Sequence, residues 1–245
     1  MKKIEDGSVD LILTDPPYFS TNLHFDQLPR FDFKELLLEF KRLLKPTGIL
    51  VSFADFNLLA ELRGYKLFKS QYEIIWQKNM AVGFLDANVR PLRNHEFVGV
   101  FVDGLKKSTY NPQKSEGKPY NKKQGKFRPS NCYGKSNTGF KTNNNDGLYH
   151  PKTIVSGFYD PDMFNSKITN KPRHPTQKPL DLVEYLVKTY SNEGCLILDT
   201  FGGSGTTAVA AHNLNRNCIC IETHSEYIDI AKARLNLNQV VDSKE

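Results

Sequence analysis

The stretch "LILDTFGGSGTT", Leu196–Thr207, decides the fold. An apolar run ends at an acid, three glycines follow within seven residues, and a helix-forming segment, "TTAVAAHNL", begins at once. That order reads as buried strand, tight loop, helix. Gly202, Gly203 and Gly205 allow a close backbone approach to a ligand, and the N–H groups opening the helix favour a negative group. A P-loop would need Gly-Lys-Ser/Thr, but Thr206 stands in the lysine position, and "GGSGTT" does not match G-x-G-x-x-G. Glu222 closes the next apolar run, "CICIE", 23 residues beyond Asp199. An acid at that place accepts both hydroxyls of a ribose, so the expected ligand carries a nucleoside.

Working outward, "VDLILT" and "GILVSFA" read as buried strands. "FDFKELLLEFKRLLKP" has helical spacing and is expected to end at Pro46 and Gly48; "FNLLAELRG" is a shorter helix closed by Gly64. "QYEIIWQK" and "EFVGVFV" are expected strands flanking a loop, "NMAVGFLDANVRPLRNH", that carries Arg90, Arg93 and His95. "KPLDLVEYLVKTYS" is a helix opening near Pro179, and a last helix starts at about His224, with Thr223 and Glu226 as its capping box. Strands alternating with amphipathic helices predict an open, mostly parallel α/β sheet with helices on both faces. Ligands of such sheets bind beyond the carboxyl ends of the strands. Both unusual loops, "DPPY" and "DTFGGSG", sit at such ends.

The 245 residues suit one domain with an insertion, and a hydrophobic share of 39% excludes a disordered chain. No apolar run approaches the ~20 residues of a membrane helix, and "MKKIEDGSVD" lacks a signal-peptide core, so a cytoplasmic protein is expected. None of the four cysteines forms C-x-x-C; Cys218 and Cys220 are expected as buried thiols in a strand, and no metal site is expected. Charge is uneven: residues 105–153 hold eleven Lys or Arg against two acids, a net of +9 in a chain of net +6, leaving the rest near −3. A localised basic block points to a polyanion, and nucleic acid is the usual one. Its aromatics, including Tyr120 and Tyr149, suit either base stacking or a small local core.

The loop in "LILTDPPYFS", Leu11–Ser20, carries the chemistry. An exocyclic amine on adenine or cytosine is a poor nucleophile because its lone pair is delocalised into the ring. Asp15 accepting one N–H and the Pro16 carbonyl accepting the other would draw that nitrogen toward tetrahedral geometry. Pro16 and Pro17 stiffen the turn, and Tyr18 and Phe19 offer faces for stacking. Such a geometry requires the base to leave the duplex.

"LILTDPPY" with "HPTQKPLDLVEYLV", "LDTFGGSGTTAVAA" and "CICIETHSEY" resembles the DNA amino-methyltransferases that act on N6 of adenine or N4 of cytosine. Their donor is S-adenosylmethionine. The resemblance covers about residues 7–103 and 169–235, and "WQKNMAVGFLDANVRPLRNHEFVGVF" looks like the central part of bacterial and phage members. It implies a Rossmann-like S-adenosylmethionine-dependent methyltransferase fold. The catalytic loop precedes the donor loop, similar to the permuted β-type order, in which the middle segment reads DNA. The implied organisation is 1–104, the catalytic part; 105–171, a basic, irregular insertion for target recognition; and 172–245, the donor-binding part of the same domain. Asp15, Pro16, Pro17 and Tyr18 would be catalytic. Asp199, Phe201, Gly202, Gly203, Gly205 and Glu222 would hold the donor, with Thr176 and Lys178 on its carboxylate. Phe19, Arg90, Arg93, Lys122, Lys123, Lys126 and Arg128 would face double-stranded DNA. The family also carries a strand and an acid ahead of the region matching "MKKIEDGSVD", the acid helping to hold the donor's adenine; none of the 245 residues corresponds to them. The resemblance favours adenine, because N4-cytosine members more often have Ser in place of Asp15. An N4-cytosine enzyme, or a catalytically impaired DNA-binding relic, is the alternative. Methylation of RNA or of a protein amide is a third reading. C5 methylation is a poor fit, since no Pro-Cys occurs. A cognate restriction endonuclease is an admissible partner.

Overall fold

A computed structural model describes residues 1–20, 24–27, 29–104, 107–121, 143–158 and 176–236. In chain order the elements are β1 (Val9–Thr14), α1 (Phe33–Leu43), β2 (Leu44–Ala54), α2 (Phe56–Gly64), β3 (Ser70–Val82) and β4 (Arg93–Val102). Short strands follow: β5 (Ser115–Glu116), β6 (Tyr120–Asn121), β7 (Asn143–Asn144), β8 (Leu148–Tyr149) and β9 (Ile154–Val155). The chain then forms α3 (Leu180–Tyr190), β10 (Leu196–Asp199), α4 (Thr206–Asn213), β11 (Asn217–Cys220) and α5 (Ser225–Arg234). Seven strands make one sheet, in the order β11-β10-β1-β2-β4-β3-β9. β1 is parallel to β2 and β10, β10 to β11 and β3 to β9, while β4 runs antiparallel to β2 and β3. The sheet is thus mostly parallel, as expected.

The central strands read as unbroken apolar runs because both faces are covered. Successive residues of β1 and β2 alternate between two layers. Leu11, Leu13, Ile49 and Val51 pack with Leu182, Val183 and Leu186 of α3 and Ala210 of α4. Ile12 and Leu50 pack instead with Phe33, Leu37 and Phe40 of α1 and Leu58, Leu59 and Leu62 of α2. Asp32 caps α1 by accepting from Lys34 N (2.7 Å), and Asp55 caps α2 by accepting from Leu58 N (2.8 Å). Asp10 ties three strands: one oxygen takes Lys45 Nζ of β2 at 2.7 Å, the other Leu196 N of β10 at 2.9 Å.

The structure corrects several local expectations. Pro46 and Gly48 do not end α1. The helix closes on Leu44, whose N–H bonds to Phe40 O, and the chain enters β2 directly. Pro46 lies where the register shifts between Val9–Leu44 and Leu11–Ile49, a bulge that tolerates its missing N–H. The β3–β4 connection is shorter than expected, because β3 continues to Val82 and β4 already includes Arg93 and His95. The Thr223–Glu226 capping box does not form: His224 occupies the cap position with no side-chain cap, and Glu222 takes the nearby N–H groups. Cys220 is exposed rather than buried, since β11 is the sheet's edge.

Contacts divide the chain into a unit of Met1–Asn111 with Thr153–Glu245 and a smaller one, Pro112–Lys152. Within 105–171, Ile154 and Val155 pair with Ile75 and Trp76 and so extend the main sheet. The smaller unit holds two ladders of two-residue strands, β5 with β8 and β6 with β7, and the Tyr120 and Tyr149 rings lie 6.0 Å apart.

Candidate active site

Parallel pairing of β1 with β10 brings their carboxyl ends side by side, so the two loops singled out in the sequence share one sheet edge. They line a cavity of about 800 Å³, to which Asp15–Phe19, Asp199–Ser204 and Glu222 contribute. Thr14 Oγ1 and Thr200 Oγ1, 3.2 Å apart, join the two strand ends.

The Asp15 end is an ionic network. Lys178 Nζ lies 2.7 Å from Asp15 Oδ2 and 2.8 Å from Glu96 Oε1. The Tyr18 hydroxyl lies 2.9 Å from Asp15 Oδ1 and 2.6 Å from Glu96 Oε1. Lys78 pairs with the other oxygen of Glu96. The Lys178 ammonium also sits 5.0 Å from the Phe53 ring centroid and 5.7 Å from that of Tyr18. Glu96 and Lys178 are nearly buried, with side chains 8% and 11% exposed, whereas Asp15 is 25% open to the cavity. Burial raises the Asp15 carboxyl above its ordinary range; Lys178 opposes the shift and the neighbouring Glu96 charge adds to it. Burial also penalises Glu96, yet Lys178 and Lys78 outweigh it and hold Glu96 down to about 2. Burial, Asp15 and Glu96 together keep Tyr18 protonated.

The glycine-loop end is held by backbone. Glu222 accepts from Gly203 N (2.7 Å), Thr223 N (2.7 Å) and His224 N (2.9 Å), so its carboxylate is fixed before any ligand arrives. Gly205 has φ +77°, and a Cβ there would lie 2.6 Å from Ala231 Cβ of α5; a Cβ on Gly202 would overlap Cys220 Sγ. Asp199 accepts from Phe201 N at 3.1 Å, and burial lifts its carboxyl to about 6 against the hydrogen bonds of Thr207 and Phe201 N. Phe201 stacks on Phe31, centroids 5.5 Å apart, and Phe31 touches Phe19 and Phe33. Phe19 itself is left-handed, φ +55°, with its N–H given to Asp26 at 3.0 Å. This loop geometry, a fixed acid and an aromatic wall fit a nucleoside-bearing donor.

The structure brings Asp15, Pro16, Pro17, Tyr18, Phe19, Asp199, Phe201, Gly202, Gly203, Glu222, Thr176 and Lys178 to one cavity. Lys178, expected beside a donor carboxylate, lines this cavity bonded to Asp15 and Glu96. Arg93 also borders the cavity, while Arg90 is paired with Asp86 on the β3–β4 connection. Lys122, Lys123, Lys126 and Arg128 lie outside the described residues. Sequence reasoning missed Glu96, Lys78 and Trp76. Trp76 lines the cavity, and its Nε1 has no hydrogen-bond partner among the described residues. The available signal was an acid opening an apolar strand, "HEFVGVFV", where an exposed or paired side chain is the rule. Among the described residues no His, Cys, Asp and Glu cluster suits a metal ion, and no helix is long and apolar enough to cross a membrane.

Comparison with known proteins is consistent across sequence and structure. The family model described as DNA methylase (N6_N4_Mtase) matches residues 9–233. The type II methyltransferase M.HpaI of Haemophilus parainfluenzae is 31% identical over 256 residues, covering 96% of this chain and 71% of that protein. The DNA adenine methyltransferase YhdJ of Escherichia coli is 28% identical, covering 100% of this chain and 82% of that protein. The crystal structure of the M1.HpyAVI–SAM complex matches with a TM-score of 0.61 at 28% identity, covering 94% of this chain and 89% of that one.

Proposed function

The chain belongs to the N6/N4 DNA methylase family, and from that premise we propose that it methylates N6 of an adenine flipped out of double-stranded DNA, with S-adenosylmethionine as donor. One observation carries the reading: an Asp15 carboxylate set between Lys178 and the Tyr18 hydroxyl shares a cavity with a glycine loop and the fixed acid Glu222. When bound, S-adenosylmethionine would supply a methyl on sulfonium sulfur, which the N6 lone pair would take as the C–S bond breaks with its electron pair left on sulfur, one amine proton being lost. Asp15 accepts an N6–H bond, aims the lone pair, and takes the departing proton for release to solvent. Pro16 offers its carbonyl to the second N–H. Glu222 receives the ribose hydroxyls, and the Gly202–Gly205 backbone lies against the donor. The β3–β4 tip, with Phe84 and Leu85 exposed beside Arg90 and Arg93, is read as a DNA contact, and the basic segment as another. A cognate restriction endonuclease and a cytoplasmic setting accompany this reading, in line with the type II names among the relatives.

Modified-base sequencing of DNA from a methylation-free bacterial host expressing the chain tests it, with Asp15→Ala as control. N6-methyladenine at one recurring motif, lost in the control, is expected. N4-methylcytosine would keep the mechanism and overturn the base; an unmodified genome would overturn the activity.

A further inference from the structure

Asp15 is held by two side chains, and both are held by a third that is 8% exposed and comes from another strand. Oδ1 of Asp15 meets the Tyr18 hydroxyl, Oδ2 meets Lys178, and Oε1 of Glu96 binds those same two groups. Lys78 fixes the remaining oxygen of Glu96. A phenol has one proton. Two carboxylate oxygens, at 2.6 and 2.9 Å, compete for it, and the shorter contact is to Glu96 Oε1. Whenever Glu96 takes the phenol proton, Asp15 Oδ1 is left to accept from another donor, which an exocyclic amine supplies. Two carboxylates and two ammonium groups balance in charge, so the cluster is neutral overall.

We infer that Glu96 is a positioning residue for Asp15: by engaging Tyr18 and Lys178, it orients the carboxylate and keeps Oδ1 open to accept the substrate amine. This rests on the methyl-transfer reading above. Glu96 does not touch the reacting atoms; it acts through Asp15. The charged and titratable groups that face Asp15 are Tyr18 on its own loop, Lys178 ahead of α3, Glu96 on β4 with Lys78 behind it on β3, and Asp199 on β10. Removing the Glu96 charge takes away a negative neighbour and leaves Lys178 to Asp15 alone, so Asp15 ionises more readily.

The test compares wild type, Glu96→Gln and Glu96→Asp as full chains, with tritiated S-adenosylmethionine and unmethylated genomic DNA. Donor affinity is measured by calorimetry, and the Asp15 carboxyl is followed by carbon-13 titration, which needs no turnover. Glu96→Gln should lower kcat about tenfold or more, leave donor Kd within about twofold, and move both the acid limb of the rate profile and the Asp15 titration to lower pH. Glu96→Asp keeps the charge but loses reach, so its kcat should fall with the acid limb in place. A Glu96→Gln enzyme with wild-type kcat overturns the inference, as does one slowed with no movement of the Asp15 titration, which is the mark of a packing role. A wild type inactive on DNA whose Asp15 titration still shifts in Glu96→Gln overturns the methyl-transfer reading and upholds the Glu96–Asp15 coupling.

Discussion

The two ends of the cavity are built in opposite ways. At the glycine loop the groups that fix Glu222 are all backbone N–H groups, those of Thr223 and His224 beside it and that of Gly203 on the loop after the neighbouring strand. At Asp15 every restraint is a charged or polar side chain, and three of them come from β3, β4 and the segment ahead of α3. Backbone restraint comes with the turn and survives most substitutions. Side-chain restraint needs long chains from separate elements to meet, and each carries a charge that the others must balance. The end expected to bind donor is therefore robust, and the end expected to do chemistry is sensitive.

The largest effect should come from Lys178→Met, which leaves Asp15 and Glu96 facing each other without their shared cation. Stability should drop by about 3–5 kcal/mol, and kcat by about a hundredfold or more, read by urea unfolding and single-turnover rates. A mild loss would mean that the two ends do not differ. Glu222→Ala should raise the donor's Kd about tenfold to a hundredfold while kcat at saturating donor changes little, because its contacts are to backbone N–H groups and its proposed partner is the ribose rather than Asp15. A fall in kcat with unchanged Kd would merge the two ends.

A pH effect comes next. The Asp199 carboxyl is lifted from its ordinary 3.8 to about 6, so between those values the folded chain holds a proton that the unfolded chain has lost. Stability should thus fall as pH rises from 4 to 6, by on the order of 2 kcal/mol from this group. Asp199→Asn should remove that part of the slope in thermal unfolding. The smallest effect is a calibration: Asp55→Ala removes only the α2 cap, and should cost about 1 kcal/mol with methylation unchanged.

The same contrast explains what the sequence could disclose. "DTFGGSG" and "CICIE" carry their own geometry, since a strand, a glycine turn and an acid at the next strand end are local facts. The parallel direction of β1, β2 and β10 is expected from buried apolar runs separated by helices; their order in the sheet is not. Glu96 and Lys78 could not be read that way. Their significance depends on β3 and β4 forming an antiparallel pair beside β2, and on Lys178 reaching both Asp15 and Glu96. Pro46 misled for a related reason: a bulge in β2 absorbs a residue that would ordinarily mark a stop.

Asp10 and Leu196, bonded at 2.9 Å, are 186 residues apart. A ribosome adding ~5–20 residues per second therefore makes β1 about ten to forty seconds before its partner β10 exists. Through that interval the Leu11–Leu13 edge has β2 on one side only. Neither Asp15 with Lys178, nor the cavity they share with Glu222, can assemble until the final third of the chain emerges. Nascent or prematurely terminated chains therefore carry the aspartate loop without the means to modify DNA, and competence arrives all at once with the C-terminal strands.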